Sequence, residues 1–309
     1  MGTMILNKDQ HKRRKKYRVQ PLNIFDVLNV SFMILLIIIM IFPFWIVFAS
    51  SIVSAGEFFT NPVILWPQAP TFAAYRYIFN DDRILRSFMI SAFITVVGTA
   101  YYLIITSSIA YALSKKYLPG RKFFLILITI TMFFSGGLVP YFLLIRNLGL
   151  MNSIWVLILP GGIVIWDFIV MKSFFSQLPE ELEESAKIDG ASSFMIYARI
   201  IPPLSLPLLA TFSLFSAVRI WNAWFDAMIF ITNRSLQPFQ LVLRQIVVDT
   251  DVPPELMNLM ARGGVEGGTV FMEALQMAAV VVGILPILFL YPFLQKYFEK
   301  GIMIGSIKG

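Results

Sequence analysis

Residues Val30 to Ser50 read VSFMILLIIIMIFPFWIVFAS, a run without one charged side chain. A bilayer hydrocarbon core about 30 Å thick is crossed by about 20 apolar residues of helix, so this run predicts a membrane span. Five more follow: Phe88 to Leu113, Phe123 to Ile145, Ile154 to Met171, Leu204 to Phe225 and Phe271 to Phe293. Hydrocarbon offers the backbone no water, so a span must be a helix or part of a closed barrel. Barrel strands would read as short alternating segments, and these runs are too long and too uniformly apolar. The predicted fold class is therefore an all-α membrane protein with six transmembrane helices.

The rest of the chain agrees. Of 309 residues, 58% are hydrophobic and 14% charged, with a mean hydropathy of +0.75; soluble domains carry about 25% charged residues. The net charge of +7 would suit nucleic acid in a soluble protein, but here the basic residues flank apolar spans, and membrane topology explains them without nucleic acid. Seventeen of the 25 Lys and Arg lie on one side of the membrane: in the tail before the first span (Lys8 to Arg18), in the second-to-third connection (Lys115, Lys116, Arg121, Lys122), in the fourth-to-fifth segment and near the C-terminus. Seven lie opposite, and Arg219 falls within the fifth span. The positive-inside rule then puts both termini in the cytoplasm. The expected organisation is a cytoplasmic basic tail at 1–29, a transmembrane domain at 30–298 and a cytoplasmic tail at 299–309. A cleavable leader is the alternative for the first span, with Ala49-Ser50-Ser51 as a faint cleavage site. Its apolar core is longer than the roughly 7–15 residues of a signal peptide.

Several chemistries are excluded. There is no cysteine, and the one histidine, His11, sits in the basic tail. One histidine in a tail is a poor basis for a histidine metal site or for Ser-His-Asp catalysis, and no catalytic or metal site is expected. No Gly-x-x-x-x-Gly-Lys-Ser/Thr occurs. Gly263-Gly-Val-Glu-Gly-Gly268 lacks the lysine and reads as a flexible outside loop. The chain is not expected to be an enzyme, and holds no cofactor of its own. The outside loops Ser51 to Ser87 and Asp226 to Val270 are long; within the second, Phe239 to Val248 suits a helix lying on the membrane face.

The most informative polar segment is Leu178-Pro-Glu-Glu-Leu-Glu-Glu-Ser-Ala-Lys-Ile-Asp-Gly190. Pro179 suits a first helical position, Glu180 and Glu181 favour the positive end of the helix dipole, and Gly190 suits a left-handed stop. The chain restarts at Ala191-Ser192 into Phe194 to Ile200, then meets Pro202, Pro203 and Pro207. The result is a helix-turn-helix across the cytoplasmic face, too small for a core of its own. It reads either as a docking element or as a solvated amphipathic loop.

Glu184-Ser-Ala-Lys-Ile-Asp-Gly190, nine residues, then Ile200-Ile-Pro-Pro203 resembles the EAA loop of binding-protein-dependent ABC importers: Glu-Ala-Ala, three residues, Gly, nine residues, Ile-x-Leu-Pro. Ser185 replaces the first alanine and Pro202 the leucine. Ile188 to Ser192, Arg199-Ile200 and Trp221-Asn222 are similar to the carbohydrate-specific, MalG-like permeases. Ser135-Gly-Gly-Leu-Val-Pro-Tyr141 and Tyr291 to Phe298 resemble the LplC/YtcP-like subgroup, near which importers of oligosaccharides, including uronate oligosaccharides, belong. The resemblance implies an ABC type I importer permease fold with a cytoplasmic coupling helix, in a bacterial inner membrane. Its implied partners are a second permease subunit, two ATPase subunits that bind ATP and Mg, an extracytoplasmic solute-binding protein and an oligosaccharide. It implies ATPase-coupling residues at Glu183, Glu184, Ser185, Ala186, Asp189, Gly190, Ala191, Ile200 and Pro203 of the loop 178–203. Glu184 would meet a basic groove residue, and Ala186 would be small because the helix lies close to the groove wall.

Polar residues inside spans are costly and usually face a cavity. Asp167, Arg219, Asn222, Glu273 and Gln276 qualify, and the aromatic faces of Tyr141, Trp155, Trp166 and Trp221 suit sugars. Each has a plainer reading as a membrane-interface aromatic or a snorkelling charge. Arg219 has a further alternative, a structural pair with Asp226 or with the partner permease. Two other function classes compete. An ion-coupled secondary transporter would show inverted repeats and more intramembrane acids; a membrane enzyme would need a reactive cluster.

Overall fold

A computed structural model describes residues 23–61, 64–248 and 272–306. The helices in chain order are α1 (Ile24–Ser51), α2 (Ala55–Thr60), α3 (Ala73–Asn80), α4 (Asp82–Ser114), α5 (Arg121–Phe133), α6 (Leu138–Asn147), α7 (Ile165–Phe175), α8 (Glu181–Ile188), α9 (Ser193–Arg199), α10 (Ile201–Leu204), α11 (Leu206–Trp221), α12 (Phe225–Phe230), α13 (Phe239–Val248) and α14 (Met272–Ser306). None of the described residues lies in a strand. Backbone contacts divide the chain into Met1–Trp45 and Ile46–Gly309.

The predicted first and second spans fall within α1 and α4, and the sixth, from Met272 on, within α14; each helix is long and apolar enough to cross a bilayer. Ile34, Leu35, Ile37 and Ile38 of α1 are all about half exposed, the pattern of a helix apolar on every side. The fifth span is α11, which begins two residues later than predicted, after Pro202 and Pro203 in the short α10. Helix α14 continues past the predicted span through Ser306, so the expected tail at 299–309 is helical over most of its length. At the other end, α1 starts at Ile24, inside the expected basic tail.

Two spans expected as single helices are broken. The third stops at Phe133, passes through extended Phe134 and resumes at Leu138. Gly137 has φ +80°, a backbone region that only glycine enters cheaply. Pro140 follows in the first turn of α6, where its missing N–H leaves no hydrogen bond unmade. The fourth opens with two tight 3-10 turns, Ile154–Leu157 and Leu159–Gly162, and bends by 44° into α7. Pro160 has no N–H to donate and Gly161-Gly162 have low helix propensity. Thr106 Oγ donates to the carbonyl freed at Gly162 at 2.8 Å.

Helix α4 organises the body. Its 33 residues span about 50 Å. The Asp81 carboxylate caps it, accepting from the N–H of Arg83 at 2.8 Å and of Ile84 at 3.2 Å. Small residues, Ser87, Ser91, Gly98, Thr106, Ser107 and Ala110, are buried along it and let neighbours approach closely. Helices α7, α11 and α13 pack on it, and α14 packs on α11, α13 and α3.

The two long loops carry helices within their described residues. In the first, α3 buries Ala74 and Ile78, and the Glu57 carboxylate accepts from the Gln68 N–H at 2.8 Å. In the second, the predicted helix at 239–248 is α13. Its apolar face is covered by protein: Phe239, Val242 and Ile246 are buried in one cluster with Trp221, Leu275 and Ala278. The Gly263–Gly268 loop lies outside the described residues. Gly283 lets α14 pack closely on α13, since a Cβ there would lie 3.2 Å from Phe239 Cε1 and from Leu243 Cδ2. Gly283→Leu is expected to lower stability by about 1–3 kcal/mol through overpacking, seen as a lower unfolding temperature in detergent. An unchanged temperature would mean that α13 does not pack on α14 in this way.

Candidate functional sites

The loop between the fourth and fifth spans folds as the local sequence dictates. Helix α8 starts two residues later than Pro179 suggests, with Glu180 at its N-cap and Glu181, Glu183 and Glu184 in the first turn. It ends in a Schellman motif: the Gly190 N–H bonds the Lys187 carbonyl at 3.0 Å and the Ala191 N–H bonds the Ala186 carbonyl at 2.9 Å. Gly190 has φ +84° and stands in open space. Ser192 then caps α9, its Oγ accepting from the Met195 N–H at 3.2 Å. Ile196 is fully buried and anchors α9 to the body.

The loop has two faces. Glu184, Ser185, Asp189, Gly190 and Pro203 are exposed. With them stand bare apolar side chains, Ile188 at 86% exposure and Phe194 at 77%. Ala191 and Ile200 are half-buried. Ala186 is half-buried too and packs on the chain's own core, so its small size answers to an internal neighbour. Glu183 is buried and ion-paired with Lys115 at the C-cap of α4. Its side chain thus faces the body, away from the exposed side of the loop.

The polar residues within the spans separate into two groups. Asp167, Arg219 and a residue that sequence reading missed, Tyr102, come together. The Tyr102 hydroxyl donates to the Asp167 carboxylate at 2.5 Å, and the Arg219 guanidinium lies 5.0 Å over the Tyr102 ring. Tyr102 is fully buried, whereas Arg219 is exposed. Arg219 donates one hydrogen bond, to Ser216 Oγ at 3.3 Å, and among the described residues no ion pair joins it to Asp226 or Asp167. Its remaining donors can serve a bound carboxylate or hydroxyl. The signal for Tyr102 was present: a phenol in an apolar span must find a hydrogen-bond partner.

Other candidates are taken up within the fold. Trp221 is buried, its ring against Phe88 and Phe239 and its Nε1 donating to the Gly283 carbonyl at 3.0 Å. That removes the ring from any cavity wall. Gln276 donates to the Ile246 carbonyl at 3.1 Å, tying α14 to the end of α13. Tyr141 packs edge-on to Phe230 at 5.3 Å. Glu273 is half-buried in the first turn of α14. Trp155 and Trp166 present 50% and 63% of their surface. Asn222 lines an open cavity of about 470 Å³ with Trp224, Phe225 and Asp226. Burial holds the Asp226 carboxyl above the usual carboxylate range. Tyr102→Phe would leave the Asp167 carboxylate without this donor and is expected to cost about 1–3 kcal/mol, read from thermal unfolding in detergent. Unfolding at the wild-type temperature would show the bond to be dispensable.

A family model described as the binding-protein-dependent transport system inner membrane component matches residues 102–304. The protein LplC of Bacillus subtilis is 43% identical over 288 residues, covering 93% of this chain and 95% of that one. The polygalacturonan/rhamnogalacturonan transport system permease protein YtcP, also of B. subtilis, is 41% identical over 93% of this chain and 99% of its own length. Among solved structures, a chain of a bacterial ABC transporter involved in the import of the acidic polysaccharide alginate superposes with a TM-score of 0.83. It is 30% identical and is covered to 99%, against 90% of this chain.

Proposed function

This chain belongs to the family of binding-protein-dependent transport system inner membrane components, and on that premise we propose how it works and what it carries. It is a non-catalytic permease subunit of an ABC importer. It pairs with a second permease to enclose the pathway, receives an oligosaccharide from an extracytoplasmic binding protein, and is driven by two ATPase subunits that hold ATP and Mg. Both termini lie in the cytoplasm, so the loops 51–87 and 226–270 face the binding protein. Family membership sets aside the ion-coupled secondary transporter.

The cargo is an acidic oligosaccharide. The observation that carries this reading is Arg219, an exposed guanidinium in the fifth span with one internal hydrogen bond; its planar fork suits a carboxylate. Support comes from two relatives whose cargoes are acidic polysaccharides. Arg219→Leu is expected to lower uptake of oligogalacturonate by about tenfold or more, the worth of a lost charge-assisted hydrogen bond of about 1.5–3 kcal/mol. Uptake of a neutral oligosaccharide carried by the same system should fall less. Equal effects on both sugars would remove the substrate role.

Energy enters through α8 and α9. The exposed face of Glu184, Ile188 and Phe194 combines a carboxylate for a basic groove with apolar surface that a soluble environment would not leave bare. Gly190 fixes the angle between the two helices through its positive φ, a conformation that costs another residue about 1–2 kcal/mol. Glu184→Lys and Gly190→Leu should each lower transport and weaken retention of the ATPase subunits during purification. Sugar binding by the extracytoplasmic protein should stay unchanged. Full transport with normal assembly in both variants would refute the coupling role.

A further inference from the structure

Of the acidic residues in the first turn of α8, Glu181 and Glu184 point to solvent and Glu183 does not. Its side chain is 8% exposed and that of its partner Lys115 is 14% exposed. Lys115 is the C-cap of α4. Its Nζ also lies 4.6 Å over the Tyr111 ring. Tyr111 in turn lies against Tyr197 of α9 at 5.6 Å and edge-on to Phe175 of α7 at 6.2 Å. The Tyr197 hydroxyl shares a 2.7 Å hydrogen bond with Ser107 Oγ, two turns back along α4. Both helices of the docking loop are thus fastened to the same end of α4, α8 by the ion pair and α9 by the tyrosine.

A buried ion pair is a poor choice for stability alone, because an apolar pair of similar volume often serves as well. What it supplies is a fixed separation and a large penalty for parting. Besides the pair, α8 rests on α9, on the core through Ala186, and on Tyr117, whose ring lies 5.0 Å from Lys187 Nζ. Thirteen residues along the unbroken α4 separate Lys115 from Tyr102, about 20 Å at 1.5 Å per residue. Tyr102 is the buried member of the cluster that includes Asp167 and Arg219. We propose that the Lys115–Glu183 pair is a clamp that makes α8 and α4 one rigid body, carrying displacement of the docking loop along α4 to the Tyr102 cluster. Glu183 is then a positioning residue, with Glu184 left to meet the ATPase. The proposal rests on the coupling role given above to the loop.

The test uses the assembled complex in proteoliposomes, with ATP hydrolysis measured alone and with binding protein loaded with oligogalacturonate. Lys115→Met and Glu183→Gln should each reduce the sugar-stimulated increment at least about fivefold, the lower end of an ordinary coupling energy. Unstimulated hydrolysis and the ratio of copurified ATPase subunits should be unchanged. The charge-swapped double variant, Lys115→Glu with Glu183→Lys, should recover most of the stimulation. A second route covers variants that assemble poorly. The chain has no cysteine, so Lys115→Cys with Glu183→Cys can be joined by a short thiol-to-thiol reagent; the joined protein should be stimulated and the unjoined protein should not. Full stimulation in the single variants would overturn the clamp, as would a swap that recovers nothing with assembly intact, or a joined protein that is inert. Glu184→Lys separates the two ideas. It should release the ATPase subunits, and if it is silent the docking reading fails whatever the clamp variants do.

Discussion

Hydrocarbon leaves no water for a polar group, and most of this structure follows from that constraint. It makes the spans helical, and it demands a partner wherever a helix breaks or a polar side chain enters. The carbonyl freed at Gly162 is met by Thr106. The Trp221 indole finds the Gly283 carbonyl, and the Asp167 carboxylate finds the Tyr102 hydroxyl. Arg219 stands apart, with an exposed guanidinium and one hydrogen bond to a neighbouring serine. A charge so lightly partnered inside a span keeps hydrogen-bond donors free, which is the ground for the substrate role proposed for it.

The same constraint explains the importance of α4. It is lined with serine, threonine, glycine and alanine, so α7 and α11 can approach closely and bury a shared core. One end is capped by Asp81 and tied by Arg83 to Gln245 of α13 at 2.5 Å. The other is capped by Lys115 and tied to α8. A single unbroken helix therefore touches the long loops, the polar cluster in the spans and the segment of α8 and α9.

Much of this was legible in the sequence. Long apolar runs located the spans, and the spacing from Glu184 to Pro203 marked the segment that folds as α8 and α9. Gly190 and Ser192 mark their turns by rules that act within a few residues, so the structure returns them nearly as read. The failures have a physical pattern. Ser135-Gly136-Gly137 and Pro160-Gly161-Gly162 break two spans, yet the apolar residues around them keep a window of twenty residues hydrophobic. Glu183 and Glu184 are alike in sequence. Which one faces inward depends on the helical phase relative to Lys115, 68 residues away. Trp221 reads as a sugar platform until Phe88 and Phe239 are seen to enclose it.

The claim that links these parts is that α8 and α4 move as one. Because the chain has no cysteine, spin labels can be placed through Glu181→Cys, on the exposed side of α8, and Arg86→Cys, exposed in the first turns of α4. The distance between them is then measured by electron double resonance in the assembled complex, without nucleotide and with ATP trapped in the partner subunits. A distance distribution unchanged between the two states is the expected result. A shift in its mean, with α8 swinging away from the end of α4, would contradict the rigid linkage.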